Sequence, residues 1–181
     1  MGAFSAGDMA GWQVKEFRGP TQYDLVRDQG RTVLRARSRA AASGLIREAD
    51  VDSAKLPLLR WSWRIERTKQ GNDYAVRVYV VFPSAFFRRT RAINHIWANR
   101  LPKGRHLPNA FSANAVMVAV ESGDEVAGRW LNAERSFRQD YLKLFGEDPP
   151  SIGAAAVMTD TDNSGGEAMA FYGDISLASL D

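Results

Sequence analysis

The stretch 57-PLLRWSWRIE-66, a polar break over 67–72, and then 73-DYAVRVYVVF-82 decide the fold class. In the second segment Tyr74, Val76, Val78, Val80 and Phe82 share one face, while Asp73, Arg77 and Tyr79 share the other. In the first, Leu59, Trp61, Trp63 and Ile65 alternate with Arg60, Ser62, Arg64 and Glu66. Period-two alternation over this length is the signature of a strand with one buried face. The two segments read as long antiparallel strands at the centre of a β-sandwich.

On the N-terminal side, 12–17 (WQVKEF) and 21–28 (TQYDLVRD) read as short strands joined at Gly19-Pro20. Asp28-Gln29-Gly30 then turns the chain into a third strand over 31–38, where Leu34 and Ala36 alternate with Val33, Arg35 and Arg37. The run 40–49 (AAASGLIREA) is interrupted by Ser43-Gly44, which favours a strand or bulge over a helix. On the C-terminal side, 84–114 lacks clear periodicity except over 92–98, where Ile93, His95 and Trp97 alternate with Asn94 and Ile96. Its remainder reads as a long Pro/Gly/Asn-rich loop, a kind of segment that is often functional.

Further on, 114–122 (NAVMVAVES) and 152–159 (IGAAAVMT) read as buried strands, 126–131 as a weak strand, and 168–171 with 174–177 as closing strands. One helix is expected over 133–145, with Asn132 as N-cap, a Phe137, Tyr141 and Leu144 stripe, and Gly146 at its end. About ten short strands and one helix, without repeats or linkers, predict an all-β fold. The expectation is a single β-sandwich domain over 1–181, jelly-roll or galactose-binding-like, with one short helix near 133–145.

The chain has 181 residues, 45% of them hydrophobic, enough to bury a sizeable core. No apolar run is long enough to span a membrane as a helix. Cysteine is absent, which excludes disulfides, thiolate metal sites and Cys nucleophiles. The opening MGAFSAGDMAGW has neither a basic n-region nor an apolar h-region. Two readings follow: a cytoplasmic protein, or a mature exported chain whose leader has been replaced. Residues 74–120 hold seven Arg/Lys and no acid, whereas 121–181 hold four against twelve acids. That asymmetry is either a charged binding surface or two regions that neutralise each other in space.

If the two central strands share a sheet, Arg60, Arg64, Asp73, Arg77 and Tyr79 line one side of it, joined by Arg35 and Arg37. Guanidinium groups there suit carboxylates, sulfates or phosphates; the alternative is a solvated face of arginines paired with Asp73 and Glu66. His95 and Trp97 project to one side of their strand, either as a stacking and proton-handling pair or as core. Trp61, Trp63 and Trp130 read as core. The turn Asp160-Thr161-Asp162-Asn163-Ser164-Gly165 begins like a calcium loop, but its twelfth position is Phe171 rather than Glu. It is either a structural Ca2+ site formed by Asp160, Asp162 and Asp174, or a plain Asx turn. Glu134, Arg135, Asp140 and Lys143 read as an ordinary charged helix face. Nucleophile-elbow, HExxH, P-loop and dinucleotide motifs are absent, and so are nucleic-acid motifs.

The series WSWRIE, NDYAVRVYVVF, NHIW, RWLNAERSFRQDYLKLFG, VMTDTDNSG and FYGDISL, from about Trp12 to Leu177, resembles the bacterial DUF3047 family. The resemblance implies an exported envelope protein and carries no activity. More loosely, the last third is similar to jelly-roll carbohydrate-binding modules, with Phe171-Tyr172-Gly173-Asp174-Ile175 in the closing strand and Gly173 where those modules often carry a second Asp.

Three functions are therefore expected to compete. The first is a non-catalytic envelope binding protein, periplasmic or secreted, with a groove for an acidic glycan built from Arg64, Asp73, Arg77, Tyr79, His95 and Trp97. The second is a uronate polysaccharide lyase using Arg77, Tyr79 and His95. The third is a structural protein with a protein partner.

Overall fold

The computed structural model describes residues 1–66, 76–84, 89–110, 112–162 and 165–180. Its strands are β1 (Trp12–Arg18), β2 (Gln22–Asp28), β3 (Arg31–Arg39), β4 (Ala42–Val51), β5 (Leu58–Ile65) and β6 (Val76–Phe82). They continue with β7 (Arg91–Ala98), β8 (His106–Asn109), β9 (Ser112–Ser122), β10 (Leu131–Ser136), β11 (Ile152–Asp160) and β12 (Glu167–Ala178); one helix, α1 (Phe137–Phe145), lies between β10 and β11. They form a seven-stranded sheet, β1-β4-β11-β6-β7-β9-β8, and a five-stranded sheet, β10-β5-β12-β3-β2. The fold is a jelly-roll β-sandwich, as the alternation predicts.

The two central strands do not pair. β5 lies between β10 and β12, whereas β6 lies between β11 and β7 in the other sheet. Alternation identifies a buried face but says nothing about which strand takes the hydrogen-bonding edge. Leu59, Trp61, Trp63 and Ile65 instead face Val76, Val78, Val80 and Phe82 across the core. Trp61 and Trp63 meet edge to face at 5.2 Å, and Trp63 reaches Trp97 at 5.9 Å. Each of these side chains contributes about 1.5–3 kcal/mol by leaving water.

Several local expectations shift for identifiable reasons. The helix begins at Phe137 rather than near 133, because Leu131–Ser136 pairs in register with β5, from Leu131 opposite Trp63 to Ser136 opposite Leu58. Ser136 Oγ, not Asn132, accepts the capping bond from the Gln139 N–H at 3.3 Å. Trp130 is outside the core, with its indole N–H donating to Asp28 at 2.8 Å. The presumed loop after β7 contains β8, and the two closing strands are one, β12, bulged after Tyr172. A Cβ at Gly173 would sit 2.1 Å from Ser62 Oγ on β5, so a side chain there would require that hydroxyl to turn away. The ambiguous 40–49 run turns at Ala40, φ 47°, and from Ala42 onward is strand β4. Gln29 and Gly30 both have positive φ, 47° and 85°, as a tight two-residue hairpin turn requires.

Candidate functional site

The expected arginine groove divides between the two outer faces of the sandwich. Arg60 and Arg64 of β5 join Arg35 and Arg37 of β3 on the five-stranded sheet, while Arg77 and Tyr79 of β6 lie on the seven-stranded sheet. Asp73 and Tyr74 lie outside the described residues, as do Asn163 and Ser164.

On the five-stranded face the arginines are matched by carboxylates. Arg35 grips Asp24 through two bonds of 3.1 and 2.6 Å, Arg60 pairs with Glu134, and Arg39 with Glu167 at 2.6 Å. Arg64 binds Asp28 at 2.9 Å and Glu66 at 2.5 Å, and its guanidinium lies 4.1 Å from the Phe171 ring. Arg31 covers Trp130 at 3.8 Å. The face is self-paired, as the sequence allowed, but of the two partners expected only Glu66 is seen, the others being Asp24, Asp28, Glu134 and Glu167.

His95 and Trp97 point into the core, with exposures of 0% and 1%, and line no groove. The alternation along β7 is as read, but its inward set is Ile93, His95 and Trp97, leaving Ala92, Asn94 and Ile96 on the outer face. His95 Nε2 lies 3.2 Å from Asp140 Oδ2, its ring packs 5.4 Å from Trp61, and Arg135 holds the same carboxylate through two bonds. Burial pushes the His95 pKa below its usual 6.5, against the pull of Asp140. Burial also opposes ionisation of Asp140, yet bonds from His95 and Arg135 hold its carboxyl below the ordinary range. Asp140 is thus a buried anchor between helix and sheet rather than part of an exposed charged face.

The three metal candidates do not converge. Asp160 binds Arg77, Asp162 faces Arg18 at 3.9 Å, and Asp174, on the other sheet, accepts from the Ser5 N–H at 2.8 Å and from its hydroxyl at 2.5 Å. Among the described residues no group of three His, Cys, Asp or Glu side chains has metal-holding geometry.

What the structure does assemble is a cleft of about 620 Å³ on the outer face of the seven-stranded sheet. Its floor holds Arg77, Tyr79, Asn94, Ala92, Ala115 and Met158; Lys15, Phe17 and Arg18 of β1 border one side, and Asn109 and Ser112 the other. Arg77 donates to Asp160 at 2.6 Å, with side-chain exposures of 7% and 4%, and to the Tyr79 hydroxyl at 3.2 Å. Burial raises the Tyr79 pKa, although Arg77 opposes the shift, so the side chain is a neutral phenol near pH 7. Phe17 is 59% exposed. It stands over Gly44, where a Cβ would meet the ring at 3.7 Å. Asn94 is fully buried, and neither atom of its amide has a hydrogen-bond partner. Phe17 and Asn94 were not singled out from sequence. Phe17 ends an ordinary strand, and Asn94 would have drawn notice only if the inward set of β7 had been known.

Solved structures with this fold include carbohydrate-binding modules of the β-sandwich superfamily described for their promiscuous specificity, with a TM-score of 0.55 at 10% identity. That match covers 98% of this chain and 60% of the other. The cellulose induced protein Cip1 aligns with a TM-score of 0.54 at 14% identity, over 98% and 96% of the two chains. The xyloglucanase domain of NopAA, a type three effector from Sinorhizobium fredii solved with cellobiose, gives 0.54 at 10% identity over 96% of each. At these identities the likeness is one of fold. No curated protein matches by sequence. No helix among the described residues is long and apolar enough to cross a membrane. The sequence itself goes further than the fold, since residues 10–176 match the profile of DUF3047, proteins of unknown function, and the chain belongs to that family.

Proposed function

We propose that this protein is a non-catalytic glycan-binding module that holds its ligand in the cleft on the seven-stranded sheet. The observation that carries this reading is an aromatic ring left 59% exposed at the border of a cleft whose floor is made largely of small and polar side chains. An exposed phenyl face offers a stacking surface for the C–H face of a sugar, and the polar floor offers hydrogen bonds that fix its orientation. Structural relatives whose names state carbohydrate binding support the same reading.

The preference for acidic glycans belongs to the border rather than the floor. Arg77 is matched by Asp160 and buried, so its charge serves to position the floor. Lys15, 5.8 Å from the Phe17 ring, and the exposed Arg18, only loosely paired with Asp162 at 3.9 Å, place cations at one end. Export to the envelope, which the family resemblance implies, completes the proposal.

Binding without turnover is favoured by the placement of the acids and bases. Glycosidases flank the scissile bond with two carboxyl groups. Among the described cleft residues the acids are Asp160 and Asp162, close together in the chain, and Asp160 is held by Arg77. The lyase reading loses His95, which lies on the core side of the sheet, and the raised pKa of Tyr79 disfavours it as a base.

Calorimetric titration with neutral and uronate-bearing oligosaccharides, at low and high salt, tests the proposal. The expected result is tighter, salt-sensitive binding of the acidic series, lost in Phe17→Ala and weakened in Arg18→Ala. A folded protein that binds neither series overturns the glycan reading. Ultraviolet absorbance from an unsaturated product overturns the absence of turnover.

A further inference from the structure

We propose that the cleft takes an oligosaccharide laid across the strands, and that Asn94 grips two adjacent unsubstituted hydroxyls on a sugar at the end remote from Phe17. This rests on the glycan reading of the cleft and names the hydroxyl pattern and chain direction that its floor recognises. Asn94 sits in the middle of β7, opposite Tyr79 of β6 on one side and Met117 of β9 on the other. It lines the cleft, is 0% exposed, and has both Oδ1 and Nδ2 without a partner. Buried side-chain amides are nearly always satisfied, because one that has given up water without replacing it is disfavoured. An unpaired amide at the floor of an open cleft points to a partner that arrives from outside.

The chemistry of that partner follows from the carboxamide. On one edge of the group Oδ1 accepts and an Nδ2 hydrogen donates, side by side and in the same direction. Its complement offers a donor and an acceptor that also lie side by side and point one way. Hydroxyls on neighbouring carbons of a pyranose, held gauche by the ring when at least one is equatorial, do so. One donates to Oδ1 and the other accepts from Nδ2; acylation of both removes the proton that Oδ1 would accept. The sheet order β1-β4-β11-β6-β7 sets the length of the ligand, because Asn94 lies four strand spacings, about 19 Å, from Phe17. The cleft runs between them over Ala42 of β4, Met158 of β11 and Arg77 of β6. One sugar ring cannot touch both ends, so a ligand that stacks on Phe17 and pairs with Asn94 is a chain of several units. Both amide atoms are sealed from solvent in the unliganded form, so engagement requires a side-chain rearrangement over a fixed backbone, as is common on binding.

The test is calorimetry on the wild type and Asn94→Val with 1,4-linked galacturonate and glucose hexamers, their dimers, and the galacturonate hexamer acetylated at its 2- and 3-hydroxyls. The wild type should bind the unsubstituted galacturonate hexamer roughly tenfold more tightly than the acetylated one, the scale set by a pair of hydrogen bonds to a buried group. Either hexamer should bind more tightly than its dimer, which cannot reach both ends of the cleft. Asn94→Val should weaken both hexamers about tenfold and narrow the gap between acetylated and unsubstituted ligand. It should also raise the Tm, because an apolar β-branched residue replaces an unpaired amide within a strand. Equal wild-type affinity for the acetylated and unsubstituted hexamers overturns the hydroxyl-pair proposal while the cleft stands, without recourse to any variant. A gap that survives Asn94→Val does the same, and so does a dimer that binds as tightly as its hexamer. A lower Tm in Asn94→Val with hexamer affinity intact assigns Asn94 a purely structural role and likewise overturns it. Failure to bind either hexamer overturns the glycan reading itself.

Discussion

The two outer faces of the sandwich arise from similar alternating sequence and behave in opposite ways. On the five-stranded sheet long arginines lie against carboxylates on neighbouring strands and against aromatic rings, so the face largely satisfies its own charges, with Arg64 Nε the buried exception. On the seven-stranded sheet the residues are shorter, one ion pair is sunk into the floor, one amide is unpaired, and a phenyl ring stands at the border. A face that pairs its own polar groups has little to offer a ligand. A cleft whose floor holds a buried amide still unmatched has a free-energy reason to take one.

The largest expected effect tests the floor. Arg77→Leu leaves Asp160 buried without its guanidinium partner, and urea unfolding should report a loss of about 3–5 kcal/mol. A loss as small as that of an exposed pair would make the two faces equivalent and break the comparison.

The layer between the faces gives a smaller effect. Because burial lowers the His95 pKa below its unfolded value near 6.5, the unfolded chain takes up the proton first. Stability should be complete above about 6.5 and decline as pH falls below it, with Tm against pH as the measurement. His95→Gln should flatten that decline. If it does not, the acid sensitivity arises elsewhere.

The smallest effect tests the self-paired face. Arg35→Ala removes the two-bond contact with the half-exposed Asp24 and should cost about 1 kcal/mol or less, with glycan affinity unchanged. Altered affinity would place a ligand on this face and reverse the roles of the two sheets.

Much of the fold was legible because alternation is a direct readout of a half-buried strand. The strands around β5, β6, β9 and β11 follow from it, as does the Gly146 stop, whose N–H bonds to Leu142 O at 2.9 Å. What alternation lacks is a sign and a neighbour. It sorted β7 into two sets without saying which faced the core, so His95 and Trp97 were expected where Asn94 stands. It did not reveal that β5 and β6 belong to different sheets, so Arg64 and Arg77 were expected in one groove. The Arg77 and Tyr79 side of the cleft was visible in the sequence. Phe17 and Asn94 were not, because exposure and an unpaired amide are properties of packing. Asp140 was read as exposed for the same reason: only the fold brings His95 and Arg135 to it.

The strand order also bears on how the protein is made. β11 and β12, drawn from residues 152–178, occupy interior positions, one in each sheet, and each is flanked by strands formed much earlier in the chain. Until they emerge from the ribosome, β4 and β6 lack the strand that joins them, and so do β3 and β5. Pairings this distant in sequence assemble slowly. The nascent chain therefore passes most of its synthesis with open strand edges, exposed to aggregation and available to chaperones.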